Sequence, residues 1–230
     1  MNRIIRWMTP KYVKKRLGKT MLNWIKGKRR IESSKIPIFS ISEAAIQNTK
    51  LLLDREKLLE YLPKNGVLAE LGVDKGDFSE SILRKCKPEK LHLVDIWATE
   101  EYSQKKRKLV EEKFKEEIES GIVEINIGLS VDVGAGFEDN YFDWIYIDTD
   151  HTYQNTINEL EIWSSKIKEG GIIAGHDFIV GYWDGMVRYG VIEAVYEFCS
   201  KHNWEILYLT MEINTHPSFA IRKIKSEGLS

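Results

Sequence analysis

The chain has 230 residues, 43% hydrophobic and 30% charged, which is enough for one domain with a buried core and too few for two full ones. Its formal net charge of -1 hides an asymmetry: residues 1–31 hold eleven Lys or Arg and no acid, leaving 23 bases against 35 acids over the rest. Basic charge confined to that arm, with no recognition motif beside it, makes nucleic acid the weakest of the arm's possible partners and none is expected, and two lone cysteines, Cys86 and Cys199, argue against a disulfide framework or a cysteine-built zinc site.

Residues 1–35 form a basic amphipathic extension in which Ile4, Ile5, Trp7, Met8, Val13 and Leu17 interleave with Arg3, Arg6, Lys11, Lys14, Lys15 and Arg16, broken at Pro10. Two readings stand: a helix packed on the domain or on a second copy in a homo-oligomer, or a peripheral contact with an anionic lipid surface. No apolar run approaches the roughly 18 residues that span a bilayer, and no continuous signal-peptide core is present, so the expected setting is cytoplasmic with membrane association through the arm alone.

The folded domain is expected over residues 36–230. Lys35 to Phe39 reads as a linker, and Ser40 with Glu43 forms a capping box ahead of a helix to about Tyr61. Strand and helix then alternate: Val67 to Val73, a helix from Asp77, Leu91 to Ile96, a charged helix around Ser103 to Ile118, and Ile122 to Ile127 with a short element after it. Next come Trp144 to Ile147, a helix from Tyr153 to Ile167, Ile172 to Ala174, and a helix from Val191 to Lys201. Two strand-like runs, Trp204 to Leu209 and Ser218 to Ile224, close the chain with no room for a crossover helix and so must pair antiparallel. The pattern predicts an α/β, Rossmann-like doubly wound fold with a mostly parallel seven-stranded sheet and a C-terminal antiparallel hairpin.

At the tip of the first long strand stands Glu70-Leu71-Gly72-Val73-Asp74-Lys75-Gly76-Asp77, where Gly72 and Gly76 permit close backbone approach and Asp77 with Glu80 can cap the next helix. The second strand ends in Asp95, an acceptor-only carboxylate suited to two ribose hydroxyls. Together they point to a nucleoside, while the spacing of the glycines departs from the dinucleotide fingerprint. These words resemble the class I S-adenosylmethionine-dependent methyltransferases over about residues 66 to 224. The resemblance implies S-adenosylmethionine as cofactor, with Glu70 near its cationic methionine end and Asp95 on the ribose.

Tyr146-Ile147-Asp148-Thr149-Asp150-His151-Thr152-Tyr153 and Gly175-His176-Asp177-Phe178 end adjacent strands, so two or three carboxylates and two histidines address one point. Gathered carboxylates repel unless a cation or proton sits among them. The words resemble the metal-dependent O-methyltransferases, the group with catechol, caffeoyl-CoA and macrolide-sugar enzymes. That resemblance implies Asp148 and Asp177 as ligands of Mg²⁺ or another divalent cation, His151 as general base, and Ser130 near the adenine. Phe178 stands where catechol-type enzymes carry an Asn ligand; His176 is either the third ligand or a buried histidine bonded to backbone. Asp150 either orients His151 or caps the following helix. The glycine- and aromatic-rich segment from Ile179 to Gly190, with Tyr182 and Trp183, reads as a loop over the acceptor or as a docked surface loop. The expected acceptor is a sugar, glycolipid or other small-molecule hydroxyl. An NAD-type enzyme, a metal-dependent oxygenase and a non-catalytic cofactor-binding module stay open as alternatives.

Overall fold

The computed structural model describes residues 26–27, 34–98, 100–182, 187–212 and 215–224. The basic arm, Trp183 and the side chain of Tyr182 lie outside them, as do the readings placed there. In chain order the elements are β1 (Lys50–Leu52), α1 (Arg55–Tyr61), β2 (Val67–Leu71), α2 (Asp77–Cys86), β3 (Lys90–Asp95), α3 (Glu100–Lys113), α4 (Lys115–Glu119), β4 (Val123–Ile127) and α5 (Ser130–Ala135). They continue with β5 (Phe142–Ile147), α6 (Tyr153–Ser164), β6 (Ile167–Gly175), β7 (Gly181–Tyr182), β8 (Val187–Arg188), α7 (Val191–His202), β9 (Trp204–Thr210) and β10 (Phe219–Lys223).

Eight strands form one sheet in the order β1-β9-β10-β6-β5-β2-β3-β4, and β7 pairs with β8 in a separate ribbon. Within the sheet β10 runs against both its neighbours, β6 and β9, while the other pairs are parallel. The Rossmann-like α/β expectation with its closing hairpin is met, with one strand more than the seven expected. The extra one is β1, which lies in the stretch read as a helix from Ser40 to Tyr61. Residues 43–48 instead make turns, with the Ser42 hydroxyl accepting from Ala45 N, and Lys50–Leu52 pair with Tyr208–Thr210. Helix begins only at Arg55, where the Asp54 carboxylate accepts from Lys57 N at 2.6 Å. A partner strand more than 150 residues away outweighs local helical spacing here.

Alternation along the central strands sends side chains to two layers. Leu68, Leu91, Leu93, Trp144 and Tyr146 pack with Leu58, Leu59, Phe78, Ile82, Val110 and Phe114 from α1, α2, α3 and its end. Ala69, Leu71, Val94, Ile145 and Ile147 pack on the opposite side with Leu160 and Trp163 of α6 and Ala194, Val195 and Phe198 of α7. Both cysteines are free and buried, and no helix among the described residues is long and apolar enough to cross a membrane.

Trp163 ties the second layer to the ligand edge: it is fully buried, its indole N–H donates to Ser130 O at 3.2 Å, and Gly134 of α5 makes room for its ring. Removing an indole of this kind leaves a cavity as well as losing transfer energy. Trp163→Ala is expected to lower the unfolding free energy by about 3–5 kcal/mol, read from urea denaturation monitored by circular dichroism.

Candidate active site

A cleft of about 750 Å³ opens at the carboxyl edge of β2, β3, β4 and β5. Of the residues singled out in the sequence, Glu70, Gly72, Asp95, Ser130, Asp148 and His151 all border it. Gly76, His176 and Asp177 do not, although the last two adjoin it through His151 and Asp148.

The glycine turn is shaped by the protein around it. Gly72 has φ of 90°, its N–H donates to Val94 O at 2.8 Å, and a Cβ there would collide with the carbonyl of Asp148. Gly76 has φ of 75° and lies against the Phe114 ring, so the space it frees is taken by that side chain. Asp77 does not cap α2; its carboxylate pairs with Lys113 at 2.8 Å, and Gly76 holds the cap position without a side-chain bond. Asp95 accepts from Val73 N at 2.9 Å, Asp74 N at 3.0 Å and Trp97 N at 2.9 Å, which fixes both the carboxylate and the turn.

Two buried acids mark the walls. Burial pushes Glu70 up to about 8, against the lowering effect of a hydrogen bond from the Ser79 hydroxyl. Glu159 of α6, which the sequence reading passed over, is pushed up to about 7 by burial and accepts from the Ser130 hydroxyl and, at 2.8 Å, from Thr149. Ser130 thus enters the cleft with its hydroxyl already directed to Glu159. No pattern of spacing distinguishes Glu159 from Glu161, the solvent-facing acid of the same helix.

Asp177 is the hub of the neighbouring cluster. His151 Nδ1 lies 2.7 Å from its Oδ2, His176 Nδ1 lies 3.5 Å from the same oxygen, and His216 Nδ1 hydrogen-bonds Oδ1. His176 Nδ1 is also 3.6 Å from Asp148 Oδ1, so this histidine faces two carboxylates rather than backbone. Burial alone would raise Asp177, yet the bonds from His151 and His176 hold it well below the usual carboxylate range. Burial opposes protonation of His176, but Asp148 and Asp177 carry it up to about 9; His151 is raised by the same contest, chiefly through Asp177. His216 was missed in the sequence because it stands 39 residues from Asp177 and arrives through the β9–β10 connection, where Phe178 N donates to Pro217 O at 2.9 Å. Asp150 does not orient His151: it accepts from Thr152 N at 2.7 Å, and Thr152 caps α6. Tyr189 packs on His151 at 4.6 Å between ring centroids, and Gly190 N donates to His151 O at 2.8 Å. The Ile179–Gly190 segment thereby touches the cluster, and it contains the β7–β8 ribbon where a loop was expected.

Asp148, His151 and Asp177 each offer one ligand atom, and these lie within 4.8 Å of one another. Ligands about 2.1 Å from a single ion can stand up to roughly twice that distance apart, so small inward movements would fit them to one cation. His176 Nε2 is buried without a hydrogen-bond partner among the described residues, which adds an uncommitted donor beside them.

Residues 69–178 match the family model described as a methyltransferase domain. Over those residues the chain is similar to a methyltransferase domain. Comparison with curated proteins returns no match. Among solved structures it is similar to a SAM-dependent methyltransferase from Aquifex aeolicus, at 15% identity over 74% of this chain and 89% of that one, with a TM-score of 0.54. It is similar also to the M1A22 tRNA methyltransferase TrmK of B. subtilis (13% identity, 76% and 67% covered, TM-score 0.54) and to geranyl diphosphate methyltransferase in complex with SAM (9%, 74% and 84%, 0.55). At these identities the likeness is one of fold, and acceptors as unlike as a tRNA and an isoprenoid diphosphate share it.

The state of Glu70 sets a pH dependence of stability. Its ordinary value is 4.5 and its folded value about 8, so between them the folded chain holds a proton that the unfolded chain has lost. The associated stability is full below about pH 4.5 and is lost as pH rises through 8. In the ligand-free protein the urea midpoint should fall from about pH 5 to pH 8, and Glu70→Gln should flatten that fall; an equal slope in the variant would remove Glu70 as its cause.

Proposed function

We propose that the domain transfers the methyl group of S-adenosylmethionine to an oxygen of a sugar, glycolipid or other small-molecule hydroxyl, with His151 accepting the hydroxyl proton. The observation that carries this reading is the 2.7 Å contact of His151 Nδ1 with Asp177 Oδ2 at the border of the cleft that Glu70 and Asp95 share. A sulfonium methyl is already activated, so the protein has to supply an oxygen that is deprotonated and aligned. As the C–O bond forms, the C–S bond breaks and the sulfur leaves neutral. With Nδ1–H donating to Asp177, His151 Nε2 is the atom that takes the proton, and Asp177 stabilises the imidazolium that results.

In the same reading Asp95 holds the ribose, Glu70 faces the methionine end, and Ser130 adjoins the adenine. Asp148 and Asp177, with His176 as third donor, are the residues that would hold a divalent cation, which when bound lowers the pKa of the acceptor hydroxyl and fixes its direction. The two carboxylates of that set suit Mg²⁺ or manganese, and the imidazole suits iron, nickel or zinc. A metal-free reading is favoured by one specific observation, the direct bond between His151 and Asp177, which already orients a base without an ion.

The test is transfer of labelled methyl from S-adenosylmethionine to a panel of catechols and sugars. His151→Ala should lower turnover by about 10²–10⁴-fold while leaving S-adenosylhomocysteine affinity near wild type; normal turnover in that variant would remove His151 from the role of base. Treatment with excess EDTA should suppress transfer, with recovery on adding Mn²⁺ or Mg²⁺, if the cation is required. Full activity in EDTA would select the metal-free form.

A further inference from the structure

The carboxyl edge of the sheet carries a group of exposed apolar side chains on the flank away from Asp95. Leu51 of β1 is 65% exposed, Leu53 in the bend after it 73%, and Met211 just past β9 58%. They stand together because the two strands pair: Leu51 lies opposite Leu209, and Met211 N donates to Leu52 O at 2.9 Å. Leu52 itself is buried in the first layer, so the short apolar run of β1 is divided between core and solvent.

This rim adjoins the His151 side of the cleft. Met211 and His216 belong to one connection, between β9 and β10, closed at its neck by Thr210 N donating to Ser218 O at 3.0 Å. Two residues after Leu53, Arg55 borders the cleft, with its guanidinium 3.6 Å from Asp148. Val180, 60% exposed, reaches the same cluster through Tyr189, whose N–H donates to Val180 O at 3.1 Å and whose ring packs on His151. Single surface leucines need no explanation, but a group of them beside a ligand cleft marks a contact surface.

Charge decides what the surface meets. Residues 1–31 hold eleven Lys or Arg and no acid, with apolar residues between them, while the rest of the chain has 23 bases against 35 acids. A layer of anionic headgroups attracts the first and repels the second, so it orients the chain, and apolar side chains on the body are what let that body approach. The chain that follows the arm is bonded to this same flank: Ile206 N donates to Ala45 O at 2.8 Å, and the Thr49 hydroxyl donates to Ile206 O at 2.6 Å. Pairing with a second copy is disfavoured, because β1 is the edge strand among the described residues, is three residues long and has Lys50 exposed on it.

We propose that Leu51, Leu53, Met211 and Val180 form a lipid-contact rim that seats the His151 side of the cleft on an anionic membrane surface, with the basic arm on the headgroups. The docking is independent of the methyl-transfer reading. Only its corollary, that the acceptor hydroxyl is carried on a lipid and enters from the rim, rests on that reading.

Co-sedimentation of the full chain with vesicles tests it, using phosphatidylcholine alone or mixed with phosphatidylglycerol. The wild type should bind the mixed vesicles and leave the neutral ones. Leu51→Ser combined with Leu53→Ser should weaken that binding by roughly tenfold or more. Leu109→Ser, a comparably exposed apolar site on α3, should leave it unchanged. Absence of binding by the wild type, or unchanged binding in the double variant, overturns the rim. A lowered Tm together with unchanged binding in that variant gives the rim to the chain's own arm instead. A wild-type dimer that the double variant dissolves, seen by sedimentation velocity without lipid, gives it to a second copy. Should the double variant unfold, Leu53→Ser alone makes the same comparison. Rim-dependent binding without labelled-methyl transfer to a glycolipid in the vesicles upholds the docking and defeats the corollary.

Discussion

The ligand edge depends on one constraint, the contact of the ends of β2 and β5 with no side chain between them. Asp148 N donates to Leu71 O at 2.7 Å, Gly72 N donates to Val94 O at 2.8 Å, and the carbonyl of Asp148 occupies the space in which residue 72 would carry a Cβ. Three consecutive strand ends are thereby locked in register. The turn that would embrace the cofactor and the carboxylate that faces the histidines are held at a fixed separation by backbone, which costs no side-chain ordering. Any larger residue at 72 would have to part the strands or tilt the peptide of Asp148, and both changes would be felt at His151, three residues along.

Charge is arranged around this lock in two regimes. On the α1–α2 side, Glu70 is buried with the Ser79 hydroxyl bonded to it and is pushed toward the neutral acid, so a cationic ligand would be met by a group that can shed its proton to receive it. On the other side Asp177 is as buried but has three imidazoles around it and stays ionised. Similar carboxyls in similar burial are driven in opposite directions by their partners alone. The same division separates the part of the cleft where backbone amides hold Asp95 from the part where imidazoles and carboxylates hold one another.

Short-range chemistry was legible in the sequence. Glycines before a helix, an acid at the tip of β3, and the words around Asp148 and Asp177 each declare themselves within a few residues, because strand-end turns are decided locally. What escaped depended on distant chain. Leu51, Leu52 and Leu53 read as helix until β9 supplied a parallel partner, and that strand in turn sets where α1 starts and so where Arg55 stands. His216 carries no signal beyond being a histidine in a loop; only the antiparallel return of β10 beside β6 brings it to Asp177. Glu159 looked like one more acid on a mixed helix, and its burial against Ser130 and Thr149 follows from how α6 packs on α5.

The backbone of Asp177 has φ of 58°, a left-handed conformation that Asp and Asn accept more readily than other side chains bearing a Cβ. At this position the demand for a short acid and the demand for an unusual chain direction fall on one residue. A glutamate there would keep the charge but fit the bend poorly, whereas an asparagine would fit the bend and lose the charge. Divergent sequences on this scaffold therefore have few single-step routes away from aspartate at 177 that preserve both, and the carboxyl's persistence among them would reflect geometry as much as chemistry.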